Sequence, residues 1–364
     1  MAGTRRPLRA AVIGTGAIGQ LRHIPAMREA EGFGLAELVA ICDPSGESLA
    51  SAGERFGVAA RYADYRELIA REDVDVVTIA TPNSSHEEIA VAALAAGKHV
   101  LCEKPLALGY AAARRMEEAA RRSGRKTSVN FRYRWVPSAR YMKELVESGE
   151  VGDVRQIFMS YFNASVQDPD RPIRWRQTRA EGGGMFADIG SHMIDLALWL
   201  VGPVGRVYVQ RRTFTSERPT EAGGRRSVDV DDAATCLIEF ASGANGVINV
   251  SGMALGRVNY QRVELYGGKA GVVYEIDRTG DVGGDALQVC FGQAQHRAVG
   301  MATARVLPHH HGTPISCFLD FLRAIHEDRE PPVTFADAVR VQEVLEAGEL
   351  SAQRREWVDL PLPA

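Results

Sequence analysis

The sequence predicts an α/β protein in two parts: a doubly wound parallel sheet first, then an α+β domain built on a large, mainly antiparallel open sheet. Three observations carry this. Through residue 130, short apolar runs alternate with helix-forming segments; beyond it, strand-like runs follow one another with few helices between them. The chain has 364 residues, more than one ordinary core serves. The expected division is therefore 1–130 and 131–364.

Leu8–Ile13 reads as a buried strand that runs into Gly14-Thr15-Gly16-Ala17-Ile18-Gly19 and then into helix-forming sequence through Ala30. This is G-x-G-x-x-G between a strand and a helix, the dinucleotide-binding fingerprint of a Rossmann sheet. Gly14 serves the tight turn, Gly16 lets a pyrophosphate reach the backbone, and Gly19 lets helix and strand pack closely. Thr15, Ala17 and Ile18 lie between them and join the candidate cofactor contacts, with the helix N-terminus facing phosphate. The next strand, Leu38–Cys42, ends at Asp43, near the offset at which an acidic residue meets the adenosine ribose. A carboxylate there accepts from the 2′-hydroxyl and repels a 2′-phosphate, which favours NAD over NADP. Asp43 also reads as a turn residue before Pro44, and the two readings compete.

Ser48–Phe56 and Tyr65–Ala70 are predicted helices, and Val74–Ala80 is a strand stopped by Thr81-Pro82-Asn83. A helix over Ser85–Ala96 is closed by Gly97, and the strand Lys98–Cys102 ends at Glu103-Lys104-Pro105. Ala111–Arg122 is a helix and Thr127–Asn130 a further strand. Ligands of such sheets bind beyond the carboxyl ends of the strands. Thr81, Pro82, Asn83, Glu103 and Lys104 all lie there and are candidate cofactor contacts. Asn83 is also a candidate helix cap. His86, at the start of the following helix, is added to the set, although a histidine so placed is more often structural.

In the second part, Tyr141–Ser148 is a predicted helix and Val154–Phe162 a strand. Then comes the segment from Gly182 to Pro203: three glycines, an apolar run, and a Gly-Pro stop. Apolar almost all round, it predicts a buried helix. It nevertheless carries Asp188, His192 and Asp195, whose spacing puts them on one face. Buried carboxylates and imidazoles are costly unless they pair or face a cavity, so the face is either a structural cluster or a catalytic one. Strand-like runs follow at 207–214, 234–240, 246–250, 262–266, 272–276 and 287–291, with hairpin links at 241–245 and 267–271. Thr215–Val228 is polar and reads as a loop, and 314–327 and 334–353 return to helix. Ala234, Cys236, Ile238 and Phe240 alternate onto one sheet face, yet the other keeps Leu237. A part-apolar open face marks an interface, so a homodimer or homotetramer is expected.

A net charge of −3 argues against nucleic acid or an anionic membrane as main partner. Five widely spaced cysteines without ligand spacing read as reduced thiols of a cytoplasmic protein. The basic first ten residues lack an apolar core, so they are not read as a secretory signal, and no run reaches membrane-spanning length. No metal site is expected: His309-His310-His311 point in different directions, and Asp229-Val230-Asp231-Asp232 reads as a solvated turn.

The chain resembles the glucose–fructose oxidoreductase / inositol dehydrogenase / MocA family. The resemblance lies in Gly14–Gly19, Ala80–His86, Gly97–Pro105 and the Gly182-Gly183-Gly184…Asp188…His192…Asp195 helix, in matching order along nearly the whole chain. It implies a nicotinamide dinucleotide in the first domain, with Lys104 beside the nicotinamide and Asp188 and His192 brought from the second. It further implies reversible oxidation of a ring hydroxyl on a sugar or cyclitol; a lyase, epimerase or glycosidase that uses NAD transiently on the same site is the second reading, and a nucleotide-binding regulator without turnover the third. Removing hydride from an alcohol carbon requires removing the hydroxyl proton as well. His192 suits that base, Lys104 the electrophile and proton relay, and Asp188 a partner or substrate ligand; the roles of Lys104 and His192 can be exchanged. Arg132, Arg134, Trp175 and Arg176 place arginine beside aromatics, which suits sugar faces and hydroxyl edges. Arg134 and the Trp175-Arg176 pair match the family, whereas Arg132 stands where a polar amide is usual and opens the prospect of an acidic substrate. A salt-bridge set is the competing reading for each arginine.

Overall fold

A computed structural model describes residues 6–276, 285–291, 303–307 and 316–363. The chain forms two compact units. One holds the chain through Arg132 and takes in Ser316 to Gln342 again; the other starts at Tyr133 and resumes at Glu343.

The first unit alternates β1 (Leu8–Ile13), α1 (Ile24–Gly32), β2 (Ala36–Cys42), α2 (Gly46–Phe56), β3 (Arg61–Tyr62), α3 (Tyr65–Ile69), β4 (Val76–Ile79), α4 (His86–Ala95), β5 (His99–Cys102), α5 (Tyr110–Ser123) and β6 (Thr127–Val129). The sheet order is β3-β2-β1-β4-β5-β6. Every pairing is parallel. The apolar runs of β1, β4 and β5 are buried, as strands covered on both faces must be. A π-type turn, Gly19–His23, opens α1.

The second unit contains α6 (Pro137–Glu147), β7 (Val154–Phe162), α7 (Ser191–Leu200), β8 (Val204–Arg212), β9 (Glu217–Pro219), β10 (Arg225–Ser227), β11 (Ala233–Phe240), β12 (Asn245–Ser251), β13 (Tyr260–Gly267), β14 (Ala270–Ile276), β15 (Asp285–Phe291) and β16 (Thr303–Leu307). After α8 (Ser316–Glu327) and α9 (Phe335–Arg354), a last short strand, β17 (Val358–Asp359), closes the edge. The nine strands order as β16-β15-β14-β13-β7-β12-β11-β8-β17, antiparallel except where β12 lies parallel to β7. One sheet face is core: Ala234, Cys236, Ile238 and Phe240 are buried there. On the other, Tyr208, Leu237, Val247 and Phe158 stand in register across four strands, with Leu237 and Phe158 exposed.

The departures from expectation have local causes. β3, β16 and β17 are two to five residues long and exist by pairing with a neighbour. The stretch read as a loop, Thr215–Val228, holds the hairpin β9–β10, built from arginine, glutamate, proline and serine. Helix α8 returns to the first unit, where it lies against α1. The triple histidine 309–311 lies outside the described residues.

Candidate active site

In the first unit the glycine loop behaves as its spacing requires. Gly14 has φ +97°, and a Cβ there would lie 2.6 Å from the Ala80 carbonyl carbon. A Cβ on Gly19 would run into the Gly14 carbonyl oxygen. Gly16 and Ala17 are exposed, and nothing lies within 4 Å of a Cβ built on Gly16. This open backbone at a strand end is a cradle that fits a dinucleotide phosphate. Asp43 braces the loop: Oδ2 accepts from Thr15 N–H at 2.7 Å and Oδ1 from Ser45 N–H at 2.9 Å. The turn reading of Asp43 is what these contacts show, and its oxygens keep further lone pairs that a ribose hydroxyl could use. Ser48 Oγ adds a hydrogen bond to the Thr15 carbonyl at 2.8 Å.

At the end of β5, Lys104 is half-buried, and its N–H donates to Glu103 Oε2 at 3.2 Å. The other Glu103 oxygen meets His23 Nε2 at 3.1 Å and accepts from Asn130 Nδ2 at 2.6 Å. Cys317 Sγ donates to Asn130 Oδ1 at 3.0 Å, and the His23 ring stands edge-on to Phe318. Burial pushes the Glu103 carboxyl up, but His23, the Lys104 charge and Asn130 together hold it at about 2. Glu103 is thus an ionised brace beneath Lys104. Sequence reasoning misses His23, Asn130 and Cys317; a histidine four residues after the last glycine, on a buried helix face, is the one signal that could have found the cluster.

Thr81, Pro82 and Asn83 follow β4 as expected, with Pro82 exposed and Asn83 buried in a 3₁₀ turn. His86 has no exposed surface. Its ring nitrogens lie 3.1 Å from the Pro105 carbonyl and 3.0 Å from the Thr81 carbonyl, and burial lowers its pKa. Its grouping with the cofactor contacts gives way to a structural role, in which it ties the loop after β4 to the loop after β5.

In the second unit, a π-type turn over Phe186–Gly190 runs straight into α7. Such insertions re-aim side chains and recur at functional sites. Asp188 sits on the turn, its side chain 14% exposed, and accepts from Arg176 Nε at 3.2 Å. The Arg176 guanidinium in turn lies 4.2 Å from the centre of the Trp175 ring. His192, one turn on, is buried edge-on against Tyr133, with ring centres 4.6 Å apart, and near Tyr161. The two tyrosine hydroxyls are 2.8 Å apart and share Asn259 Oδ1, at 3.0 and 2.6 Å. Asp195 is 1% exposed and takes a bidentate hydrogen bond from Arg134 Nε and Nη2, at 2.9 and 2.5 Å. The helix face thus splits: Asp195 is held in an ion pair with Arg134, whereas Asp188 meets Arg176 and His192 the two tyrosine rings.

The N-terminal pattern and the helix both recur in known proteins. Residues 8–131 match the oxidoreductase family with an NAD-binding Rossmann fold, and residues 139–273 match the GFO/IDH/MocA C-terminal domain. Levoglucosan dehydrogenase of Pseudarthrobacter phenanthrenivorans is 34% identical over 88% of this chain and 89% of its own. The chain belongs to the GFO/IDH/MocA oxidoreductase family. The myo-inositol 2-dehydrogenase of Thermotoga maritima is 32% identical over 72% of this chain and 73% of its own. A solved levoglucosan dehydrogenase in complex with NADH and levoglucosan superposes with a TM-score of 0.89 at 33% identity, covering 98% of this chain and all of that one (100%).

Against this family background two sequence expectations are corrected. Arg134, proposed for substrate, is buried and committed to Asp195, so it holds α7 in place. Asp229-Val230-Asp231-Asp232 is not a solvated turn: Asp231 and Asp232 are buried, and the three carboxylates accept backbone N–H groups of Arg179, Phe186, and Phe214 with Thr215. Burial could not be read from a run of aspartates, because their partners lie up to fifty residues away. Arg132 is half-buried in the first unit, and its charge bears on the Cys317 thiol. Among the described residues, no cluster of three or more His, Cys, Asp or Glu is placed to hold a metal ion, and no helix is long and apolar enough to cross a membrane.

Proposed function

We propose that the protein is an NAD-dependent dehydrogenase that oxidises a ring hydroxyl of a sugar, cyclitol or related polyol, or reduces the corresponding ketone. The observation that carries the reading is the pairing of Asp188 and His192 one turn apart on a buried helix. Asp188 is oriented by a stacked guanidinium and His192 by two tyrosine rings. NAD supplies the hydride acceptor; Gly14, Thr15, Gly16, Ala17, Ile18, Asp43, Thr81, Pro82, Asn83, Glu103 and Lys104 form the set proposed to hold it. His192 takes the hydroxyl proton, Asp188 accepts a substrate hydroxyl, and the Lys104 ammonium stabilises charge developing on oxygen. Trp175 offers an apolar face to a sugar ring. Arg176 is neutralised by Asp188, which favours an uncharged polyol over an acid. Relatives named as sugar and cyclitol dehydrogenases support the substrate class.

The test is a panel of sugars and inositols with NAD and with NADP, followed by the absorbance of reduced cofactor. Sustained NADH release with at least one polyol is expected; silence across the panel with both cofactors overturns the reading. The protein is further proposed to be a cytoplasmic homodimer or homotetramer. The row Tyr208, Leu237, Val247 and Phe158, with Leu237 and Phe158 exposed, supports the assembly, and five free thiols suit a reducing compartment. A monomer in light scattering at micromolar concentration would refute the assembly.

A further inference from the structure

The helical run that carries Asp188 and His192 begins without a side-chain cap of its own. Its first N–H groups find partners elsewhere, in a strand-leading segment more than forty residues on. Met185 N–H donates to the Asp231 carbonyl at 3.1 Å, and Phe186 N–H to Asp231 Oδ2 at 2.8 Å. The fit is close. A Cβ on Gly184, whose φ is +105°, would lie 2.7 Å from Asp231 Oδ1. Gly184 also links this anchor to the chemistry: its N–H donates to the Arg176 carbonyl at 3.0 Å, and its own carbonyl accepts from Asp188 N–H at 2.8 Å. Arg176 is the residue whose guanidinium orients Asp188. One carboxylate therefore stands under the turn that places both members of the Asp188–Arg176 pair, and His192 follows on the next turn.

We propose that Asp231 is a positioning residue for the reaction: its buried carboxylate holds the first turn of the catalytic helix and so sets where Asp188 and His192 stand. This rests on the dehydrogenase reading above. The charged groups that face Asp231 are Arg211 of β8, 3.7 Å away, and Glu349 of α9, which pairs with Arg211 and with Arg179; Asp229 and Asp232 flank it on its own segment. An anion at a helix N-terminus is favourable, but this one is 5% exposed. Burial pushes its carboxyl up to about 6, against the pull of the Phe186 N–H and Arg211. A folded-state value raised above the ordinary 3.8 means that the proton-linked stability is full below pH 3.8 and lost as pH rises through 6. At neutral pH the fold therefore keeps an ionised carboxylate at some expense to stability, which suits a group retained for placement.

The experiment compares full-length wild type, Asp231→Asn and Asp232→Asn. Asp232 is an equally buried neighbour that accepts from Phe214 and Thr215 instead of from the helix. Asp231→Asn is expected to lower kcat on a polyol roughly tenfold to a hundredfold, the scale of an ångström-level misplacement, with NAD affinity little changed. Asp232→Asn, compared per folded enzyme, should keep kcat within about twofold, because its contacts lie away from the reacting groups. The thermal midpoint of Asp231→Asn relative to wild type should be more favourable at pH 8 than at pH 5. Turnover above half of wild type in Asp231→Asn, or equal losses in the two variants, overturns the proposal and leaves the dehydrogenase reading intact. A wild type inert toward every polyol overturns that reading instead. Amide hydrogen exchange then still decides whether Asp231 holds the helix: faster exchange at Met185 and Phe186 in Asp231→Asn than in Asp232→Asn supports it, and equal rates in the two variants overturn it.

Discussion

In the first unit, the groups offered to a cofactor are largely backbone, presented by glycines at strand ends, with Asp43 and Ser48 fastening the loop from the next βα unit. In the second, the groups proposed to meet a substrate are side chains on a buried helix. They are met by Arg176 and Tyr133 before the helix and its first turn by Asp231 after it, while Asn259 accepts from the tyrosine hydroxyls. Backbone presentation tolerates neighbouring side-chain changes so long as the glycines stay. Side-chain presentation in a low-dielectric interior tolerates few, because every partner lost leaves a buried polar group behind. The contrast predicts that damage in the second unit spreads between chemistry and stability, whereas damage in the first separates into binding or chemistry.

The largest expected effect is on rate. Lys104→Ala and His192→Ala should each lower turnover by about 100- to 10,000-fold, the usual range for loss of a general acid or base. NAD affinity should change little in His192→Ala and by less than turnover in Lys104→Ala, since the pyrophosphate and ribose contacts are proposed at Gly14–Gly19 and Asp43. Steady-state kinetics beside direct NAD titration checks both. Near-normal turnover of His192→Ala across pH would make the helix a scaffold and remove the contrast. Next in size is stability: Asp195→Ala strands Arg134 in the interior and should destabilise the fold by about 3–5 kcal/mol. Denaturant unfolding measures it; a loss under about 1 kcal/mol would mean that the pair is dispensable.

The same contrast explains what was legible. The strand–helix alternation of the first unit, the two hairpin links and the buried helix were readable because their signals are local: period, glycine spacing, a Gly-Pro stop. Asp188 and His192 stood out as candidates because polar residues there interrupt an apolar run, and Lys104 because it closes a strand in the Glu103-Lys104-Pro105 element that resembles the family. Arg134, Asp231 and the His23–Glu103–Asn130 cluster were not, since a side chain's partner across the fold leaves no trace in its own surroundings. Arginine between aromatics looked the same whether it met a sugar or Asp195. Strands of two or three residues such as β3, β9 and β10 have no period to read.

A smaller effect belongs to the brace beneath Lys104. The folded Glu103 carboxyl is held at about 2 against an ordinary 4.5, so its contribution is full above 4.5 and is lost as pH falls through 2. A depression of that size corresponds to roughly 3 kcal/mol at pH 7. Glu103→Gln should lower unfolding free energy by about that amount at neutral pH, and the gap from wild type should narrow as pH falls from 5 toward 3. A gap that stays constant would show that shape, not charge, is what Glu103 supplies. A loss of turnover beyond the loss of folded protein is also expected, because the Lys104 N–H rests on this carboxylate.

The smallest expected effect tests the first unit alone, through Asp43. Its charge and its hydrogen bonds are separable. Asp43→Asn keeps an amide oxygen for Thr15 N–H or Ser45 N–H but removes the charge that repels a 2′-phosphate, so the ratio of kcat/KM with NAD to that with NADP should fall about tenfold, near 1.4 kcal/mol. Asp43→Ser removes the charge and shortens the reach, so it should narrow the preference similarly and also weaken NAD itself by a further few-fold, the scale of one lost hydrogen bond. If the two variants bind NAD equally well, the contacts to Thr15 and Ser45 are incidental, and the glycines alone shape the loop. If wild type already uses NADP more efficiently than NAD, the carboxylate does not read the ribose, and its role shrinks to fastening Thr15. The latter result would widen the difference between the two units, because it would leave backbone geometry, with no side-chain reader, as the whole of what the first unit contributes to cofactor selection.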